Sequence, residues 1–192
     1  MHKEHNPAGG GHPTAWRKSE VALSSVYRGG VVVTLRPLTL DDIDAVHGWA
    51  QLPESCRYQP WGPNTYEESV AYVRRVLAEG PNHLVHAVVV DGEVVGTADL
   101  TLHGPSTGEI GYGIHPQRWG QGIATATARE LLRRGFTEHG RHRIFGTCDP
   151  RNVASAAVMR KVGMQYEGRM RDTALIRDGW RDSDLYAILV DD

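Results

Sequence analysis

The sequence predicts an α/β (α+β) fold in which helices flank a mixed central sheet. Three observations lead to this prediction. Two valine-rich runs flank Asp91-Gly92, a dipeptide typical of a tight hairpin turn. A third strand pattern leads into residues 120–135, the longest helical pattern in the chain. Another strand pattern follows that helix, and a strand–helix–strand order implies that parallel and antiparallel pairs share one sheet.

The first half of the chain is predicted to hold one strand and two capped helices. Thr39 is a candidate N-cap, with Asp42 at the third position after it. Thr65 and Glu68 have the spacing of a second capping box. These signals and the local pattern predict a strand at 31–36, a helix at 39–50, a proline-rich loop at 51–63 and a helix at 65–79.

The second half of the chain supplies most of the predicted sheet. Gly163 is suited to end a helix, and Asp178-Gly179 is suited to a turn between two strands. The predicted elements are strands at 84–90, 94–100 and 109–114, a helix at 120–135, a strand at 143–147, a helix at 153–162, and strands at 164–175 and 183–190.

Length and composition predict one soluble domain. A chain of 192 residues is long enough for a single core, which we place at residues 27–192. Residues 1–26 are rich in glycine and proline and predict a flexible N-terminal tail. A net charge of −2 gives no electrostatic reason to expect a nucleic-acid or membrane partner.

The sequence shows no pattern typical of a disulfide framework, a metal site or a secretory signal. Cys56 and Cys148 cannot build a disulfide framework, and the histidines of the tail fit no zinc spacing, so we predict no metal site. Residues 1–16 contain no apolar segment of the kind found in secretory signals. We therefore expect a cytoplasmic location.

The most informative segment is the loop between the strand at 109–114 and the long helix. Gly120 and Gly122 let the backbone approach a ligand closely. The first turn of the following helix has free N–H groups and a positive dipole end, which together suit a pyrophosphate. No lysine follows as in nucleotide-hydrolysing loops, and the three-glycine spacing of dinucleotide-binding folds is missing.

This loop resembles the pyrophosphate loop of the GNAT superfamily of N-acetyltransferases, whose signature is Arg/Gln-x-x-Gly-x-Gly/Ala. Gln117-x-x-Gly120-x-Gly122 fits one register and Trp119-x-x-Gly122-x-Ala124 another, which we prefer because it is common in the RimJ/RimL-like branch of ribosomal-protein N-terminal acetyltransferases. Residues 149–164 resemble the Asn-x-x-Ser helix of the same family, which ends in Lys-x-Gly-Phe, with Met164 in place of the phenylalanine. The similarity extends over about residues 30–190.

The resemblance implies a fold of about seven strands and four helices with acetyl-CoA as the cosubstrate. The pantetheine arm would lie between two splayed strands, 109–114 and 143–147, against the backbone of Tyr112 and Ile114. Arg118 is either a phosphate contact or a solvated loop charge. The pyrophosphate would take N–H groups from Trp119, Gly120, Gln121, Gly122, Ile123, Ala124 and Thr125.

By the same resemblance, Ser155 is the candidate acid that protonates the leaving sulfur, and Asn152 is a cofactor partner, an N-cap, or both. Glu109 is the candidate base, acting through water, or else a surface charge. The position of a second base in the branch falls here on Ala174, so Asp172, two residues earlier on the predicted strand face, is a substitute. A low-pKa α-amine could also react without a base.

The acceptor site is predicted from a loop and a strand end. Tyr58 and Trp61 lie on a proline-stiffened loop, and Asp99 ends a strand. Trp61 could instead pack between the first two helices. We expect an amine acceptor, first the N-terminal α-amine of a protein or peptide, alternatively a small-molecule amine. A non-catalytic acyl-CoA sensor and a homodimer are further possibilities.

Overall fold

The structure is a computed structural model that describes residues 30–192, so the predicted tail at 1–26 lies outside the described residues. This part of the chain forms one seven-stranded sheet with the strand order β1-β2-β3-β4-β5-β7-β6. All neighbours are antiparallel except β4 and β5, which confirms the mixed sheet. The strands are β1 Thr34–Pro37, β2 His83–Val90, β3 Glu93–His103, β4 Thr107–Ile114, β5 Arg143–Cys148, β6 Gln165–Ile176 and β7 Gly179–Leu189.

Five α-helices and two short 3-10 turns accompany the sheet in residues 30–192. The predicted capping box at Thr65 is present, because Glu68 N–H donates to Thr65 Oγ1 over 3.2 Å and Thr65 N–H donates to the Glu68 carboxylate over 2.8 Å. The elements are α1 Ile43–Ala50, α2 Pro53–Cys56, α3 Tyr66–Ala78, α4 Ile123–Thr137 and α5 Val153–Lys161, with 3-10 turns at Leu40–Asp42 and Pro116–Arg118.

Several boundaries differ from the predicted ones. The predicted loop at 51–63 contains α2, which Pro53 begins because proline is suited to the first helical position. Helix α4 begins at Ile123 rather than at residue 120, since Gly120 and Gly122 adopt left-handed φ values of 75° and 81° that cannot continue a right-handed helix. Strand β7 begins at Gly179, four residues before its predicted start.

The apolar residues form two cores on opposite faces of the sheet. Strand β2 shows the division, because Val88 and Val90 belong to one core and Ala87 to the other, as strand alternation requires. The larger core joins the sheet to α4 and α5, and the smaller joins it to α1 and α3. Between residues 30 and 192, the structure contains no helix with the length and apolar character needed to cross a bilayer.

Candidate active site

Strands β4 and β5 are neighbours for only part of their length. They pair in parallel from Thr107–Arg143 to Glu109–Phe145, and their described residues pair no further. Beyond that point β4 stays paired with β3, and β5 with β7 as far as Cys148. The two strands therefore separate after Glu109, as predicted, and a cleft of about 1300 Å³ opens there.

The backbone of β4 is turned toward this cleft. The N–H of His115 donates to Val95 on β3 over 2.8 Å, so the register places Ile114 in a pair whose N–H and C=O point away from β3. Tyr112 lies two residues earlier and has the same orientation. The C=O of Ile114 accepts the indole N–H of Trp119 over 2.7 Å, while its N–H faces the gap.

The beginning of α4 closes one end of the cleft. A Cβ added at Gly120 or Gly122 would meet no atom within 4 Å, so this backbone borders open space. The N–H groups of the first helical turn have no intrahelical acceptor. All but one of the predicted phosphate-binding residues line the cleft here: Arg118, Trp119, Gly120, Gly122, Ile123, Ala124 and Thr125. Gln121 does not, and its side chain donates to the Gln117 carbonyl over 3.4 Å. The N–H of Trp119 donates to the Pro116 carbonyl over 3.1 Å, so the prediction that it binds a phosphate is wrong.

Arg118 adds a positive charge beside the same helix end. Its Nε is buried and, among the residues that the structure describes, has no hydrogen-bond partner. The nearest carboxylate oxygen, on the mostly exposed Glu93, is 3.9 Å from Nη2. A guanidinium that lines the cleft beside an open helix N-terminus fits a diphosphate well.

Ser155 and Tyr112 meet in the cleft near the start of α5. Their hydroxyl oxygens are 3.2 Å apart, and Asn152 Oδ1 accepts the N–H of Ser155 over 3.1 Å, so Asn152 is the N-cap of α5. Burial raises the pKa of Tyr112 to about 12, which keeps this phenol protonated. No local sequence pattern indicates this role of the Tyr112 phenol, because the hydrogen bond joins residues 43 positions apart.

Asp99 on β3 pairs with Gly111 on β4, so its side chain lies on the opposite face of the sheet from that of Tyr112. A Cβ at Gly111 would lie 2.5 Å from Asp99 Oδ1, so the carboxylate rests against β4. About a third of the side chain stays open to the cleft, with 36% exposure. Withdrawal from water raises the pKa of Asp99 to about 6, opposed by nearby His83 and assisted by Glu109 and Glu79.

Glu109 lines the cleft at the point where β4 and β5 separate. Its Oε2 lies 2.9 Å from His103 Nε2, and the His103 ring stacks on Phe145 with centroids 5.7 Å apart. His103 is thus the partner of the candidate base. The pair is visible only once β3 and β4 are joined as a hairpin.

Asp172 does not join the other predicted residues. The pairing of β6 with β7 shifts between Met170 and Ala174, and Asp172 has a φ of 49° there. Its side chain is exposed, its N–H donates to Asp182 over 3.1 Å, and it does not line the cleft. The prediction that it shares a strand face with position 174 is wrong, because the bulge breaks the two-residue alternation.

The part of the cleft where the sequence predicts the acceptor has an aromatic wall. Tyr58 and Trp61 both line it, and Trp61 is 40% exposed, so it is not packed between helices. The tryptophan that is buried beside these helices is Trp49, which lies on α1 and belongs to the smaller core. The guanidinium groups of Arg57 and Arg151 lie 5.4 and 5.9 Å from the centre of the Tyr58 ring.

Cys148 lines the cleft, but burial raises the pKa of its thiol to about 11, so it is a poor nucleophile. In residues 30–192, no three His, Cys, Asp or Glu side chains are grouped as metal ligands require.

Comparison with known proteins identifies a family. A family model described as "Acetyltransferase (GNAT) domain" matches residues 33–165. The chain is 31% identical over 158 residues to the uncharacterized N-acetyltransferase YnaD of Bacillus subtilis, covering 81% of this chain and 92% of that protein. It is 27% identical over 157 residues to the spermidine N(1)-acetyltransferase of Escherichia coli, covering 79% and 82%. Mycobacterium smegmatis RimJ, solved with a CoA-disulfide, superposes with a TM-score of 0.72 at 29% identity, covering 83% and 82%.

Proposed function

Because this chain belongs to the GNAT family of N-acetyltransferases and uses acetyl-CoA as its cosubstrate, we propose that it acetylates the N-terminal α-amine of a protein or peptide. The observation that carries the proposal is Asp99, a carboxylate that lines the cleft beside the point where β4 leaves β5. It can anchor one ammonium group, while the aromatic wall of Tyr58 and Trp61 leads outward from it.

The acetyl donor is held by the gap and by the beginning of α4. The N–H groups of Gly120 and of residues 122–125, together with the Arg118 guanidinium, bind the diphosphate. The pantetheine arm takes the place of the missing strand pairing and bonds to the backbone of Tyr112 and Ile114. The N–H of Ile114 then polarises the thioester carbonyl.

Ser155 is the acid in this proposal. Its hydroxyl oxygen lies 3.2 Å from that of Tyr112, whose pKa is raised to about 12, so the phenol stays protonated and can donate to Ser155. The hydroxyl of Ser155 can then give its own proton to the departing sulfur. Asn152 fixes the first turn of α5 and so fixes the position of Ser155.

Glu109 is the base, and it acts through a water molecule. It lines the cleft and is held in position by His103. An α-amine has a pKa near 7.7–8.0, so part of it is already neutral near neutral pH. Only the remaining ammonium form needs to lose a proton to the base. A lysine side chain, with a pKa near 10.4, would be a poorer acceptor for the same arrangement.

A small polyamine is the second candidate acceptor, and one observation favours it. Glu79, Asp99 and Glu109 are close enough for the two glutamates to raise the pKa of Asp99. Such a group of carboxylates suits an acceptor with more than one positive charge. The spermidine N(1)-acetyltransferase of Escherichia coli is consistent with this alternative.

The experiment is an amine panel in which thiol release from acetyl-CoA is measured. Peptides with free and with blocked N-termini are compared with spermidine and with a lysine side-chain amine. The proposal predicts the highest kcat/KM for the free N-terminus. A preference for spermidine supports the second candidate. Binding of acetyl-CoA without turnover of any amine would mean a sensor and contradict both.

A further inference from the structure

Arg177 lies in the turn between β6 and β7. It contacts the acceptor loop, residues 56–62, although more than 100 residues separate the two in the sequence. Its Nη1 donates to the carbonyl oxygens of Trp61, over 2.9 Å, and of Gly62, over 2.5 Å. Its Nη2 donates to the carbonyl oxygen of Cys56. One side chain thus binds three backbone carbonyls of the segment 56–62.

These carbonyls belong to a segment that has few hydrogen bonds of its own. Cys56 is the last residue of α2, a helix of four residues, and its carbonyl oxygen also accepts the N–H of Gln59 over 3.0 Å. A guanidinium is planar with five N–H donors, so it can bind several carbonyls at once in a way that an ammonium cannot.

The neighbouring Asp178 links the same turn to the loop that begins α5. Its Oδ2 accepts a hydrogen bond from Arg151 over 2.7 Å, and Arg151 also binds the buried Asp149 over 2.7 Å. Arg151 lies beside the Tyr58 ring. The β6–β7 turn therefore contacts the acceptor loop on one side and, through Arg151, the segment that carries Asn152 and Ser155.

We propose that Arg177 is a positioning residue that holds the acceptor loop, residues 56–62, in its place against the cleft and thereby sets the affinity for the amine. The inference rests on the proposed function, because it takes Tyr58 and Trp61 as acceptor-binding residues. Arg177 touches neither the α4 N-terminus nor the gap, so it acts on the acceptor and not on acetyl-CoA. Its contacts are to backbone oxygens, so the side chains of the loop can differ while the loop stays fixed.

The test compares Arg177→Gln and Arg177→Lys with Arg171→Gln, a control on strand β6 that does not line the cleft. Amide hydrogen exchange is measured over residues 56–64 and over β2–β3. KM for the preferred amine, KM for acetyl-CoA and kcat are measured in parallel. Exchange does not require a known amine, so it tests the position of the loop even if no substrate is found.

The expected result for Arg177→Gln is exchange at 56–64 at least about 10-fold faster, with β2–β3 unchanged, because the charged donors are lost. KM for the amine rises about 10-fold or more, with KM for acetyl-CoA within about 2-fold. Arg177→Lys restores part of both, and it carries the test if the glutamine variant does not fold. Unchanged exchange overturns the proposal. Faster exchange with an unchanged amine KM overturns the assignment to acceptor affinity, whereas a wild-type protein that turns over no amine refutes only the proposed function.

Discussion

Ser155 lies where the first turn of α5 meets the gap between β4 and β5. Its N–H is used by Asn152, whereas its hydroxyl faces Tyr112 in the cleft. The cap bond does not involve the Ser155 side chain, so removing the hydroxyl leaves the helix start intact. This separation allows the chemical role of Ser155 to be tested without a loss of structure.

We predict that Ser155→Ala lowers kcat by about 10²-fold or more, which is the usual contribution of a positioned acid. Steady-state kinetics at saturating acetyl-CoA measure it, with thermal denaturation as the control for folding. Tyr112→Phe should cause a smaller loss, because it removes the partner and not the acid. A Ser155→Ala enzyme with nearly normal turnover would place this serine among the structural residues.

Asp99 carries a prediction about pH. Its folded-state pKa of about 6 lies above the ordinary 3.8, so the folded chain binds this proton more tightly than the unfolded chain. Stability therefore falls as pH rises from about 4 to about 6, and above 6 the ionised carboxylate remains a cost. Asp99→Asn should raise Tm relative to the wild type at about pH 8 and lose that advantage toward about pH 4.

Differential scanning fluorimetry across this pH range measures the effect, with the exposed Asp191→Asn as the matched control. The same Asp99 variant should bind the amine more weakly at about pH 8, because the anionic anchor is gone. A pH-independent difference in Tm between Asp99→Asn and the wild type would show that Asp99 is ionised normally in the folded protein.

At the residue scale, the features that could be predicted are those that depend on neighbours in the sequence. Asn152 as an N-cap follows from its type and its place before a helix, and the structure confirms it. The Tyr112–Ser155 and His103–Glu109 pairs depend on how strands are joined, so no local pattern contains them. The face of Asp172 could not be predicted, because a bulge leaves no reliable signal in a polar edge strand.

At the scale of elements, the proposed binding of acetyl-CoA depends on the beginning of α4. Gly122 has a φ of 81° and borders open space, so a side chain there would project from the helix N-terminus into the cleft. We predict that Gly122→Glu abolishes measurable acetyl-CoA binding in calorimetry, since a carboxylate would repel the diphosphate and occupy its place.

Gly92 is the matched control for that substitution. It has a φ of 83°, also borders open space, and lies in the β2–β3 turn outside the cleft lining. Gly92→Glu therefore carries the same backbone strain and the same charge. It should lower Tm comparably and leave the Kd for acetyl-CoA within about 2-fold of the wild type. Equal binding by both variants would contradict the assigned loop register.

Most elements were predictable because their signals are local. Hairpin turns, capping boxes and the helical period of residues 123–137 each involve neighbours in sequence. Helix α2 was missed, since four residues in a proline-rich stretch are too few to show a period. The splay of β4 from β5 came from the family resemblance, as nothing in either strand alone indicates where their pairing ends.

At the scale of the whole molecule, the sheet is closed on both faces by separate cores and opened at its centre by the separating strands. In the proposed function, α4 builds the donor end of the cleft and the loop contacted by Arg177 builds the acceptor end. The predicted cytoplasmic location and homodimer stay predictions. The central claim is that the diphosphate of the cosubstrate lies on the first turn of α4 and its thioester between β4 and β5.

A crystal structure of the complex with CoA tests this claim most directly. The account predicts diphosphate oxygens within about 3.2 Å of N–H groups among Gly120 and residues 122–125, and the sulfur near Ser155 Oγ. Density for CoA elsewhere on the molecule, with the beginning of α4 free of any phosphate, would contradict it.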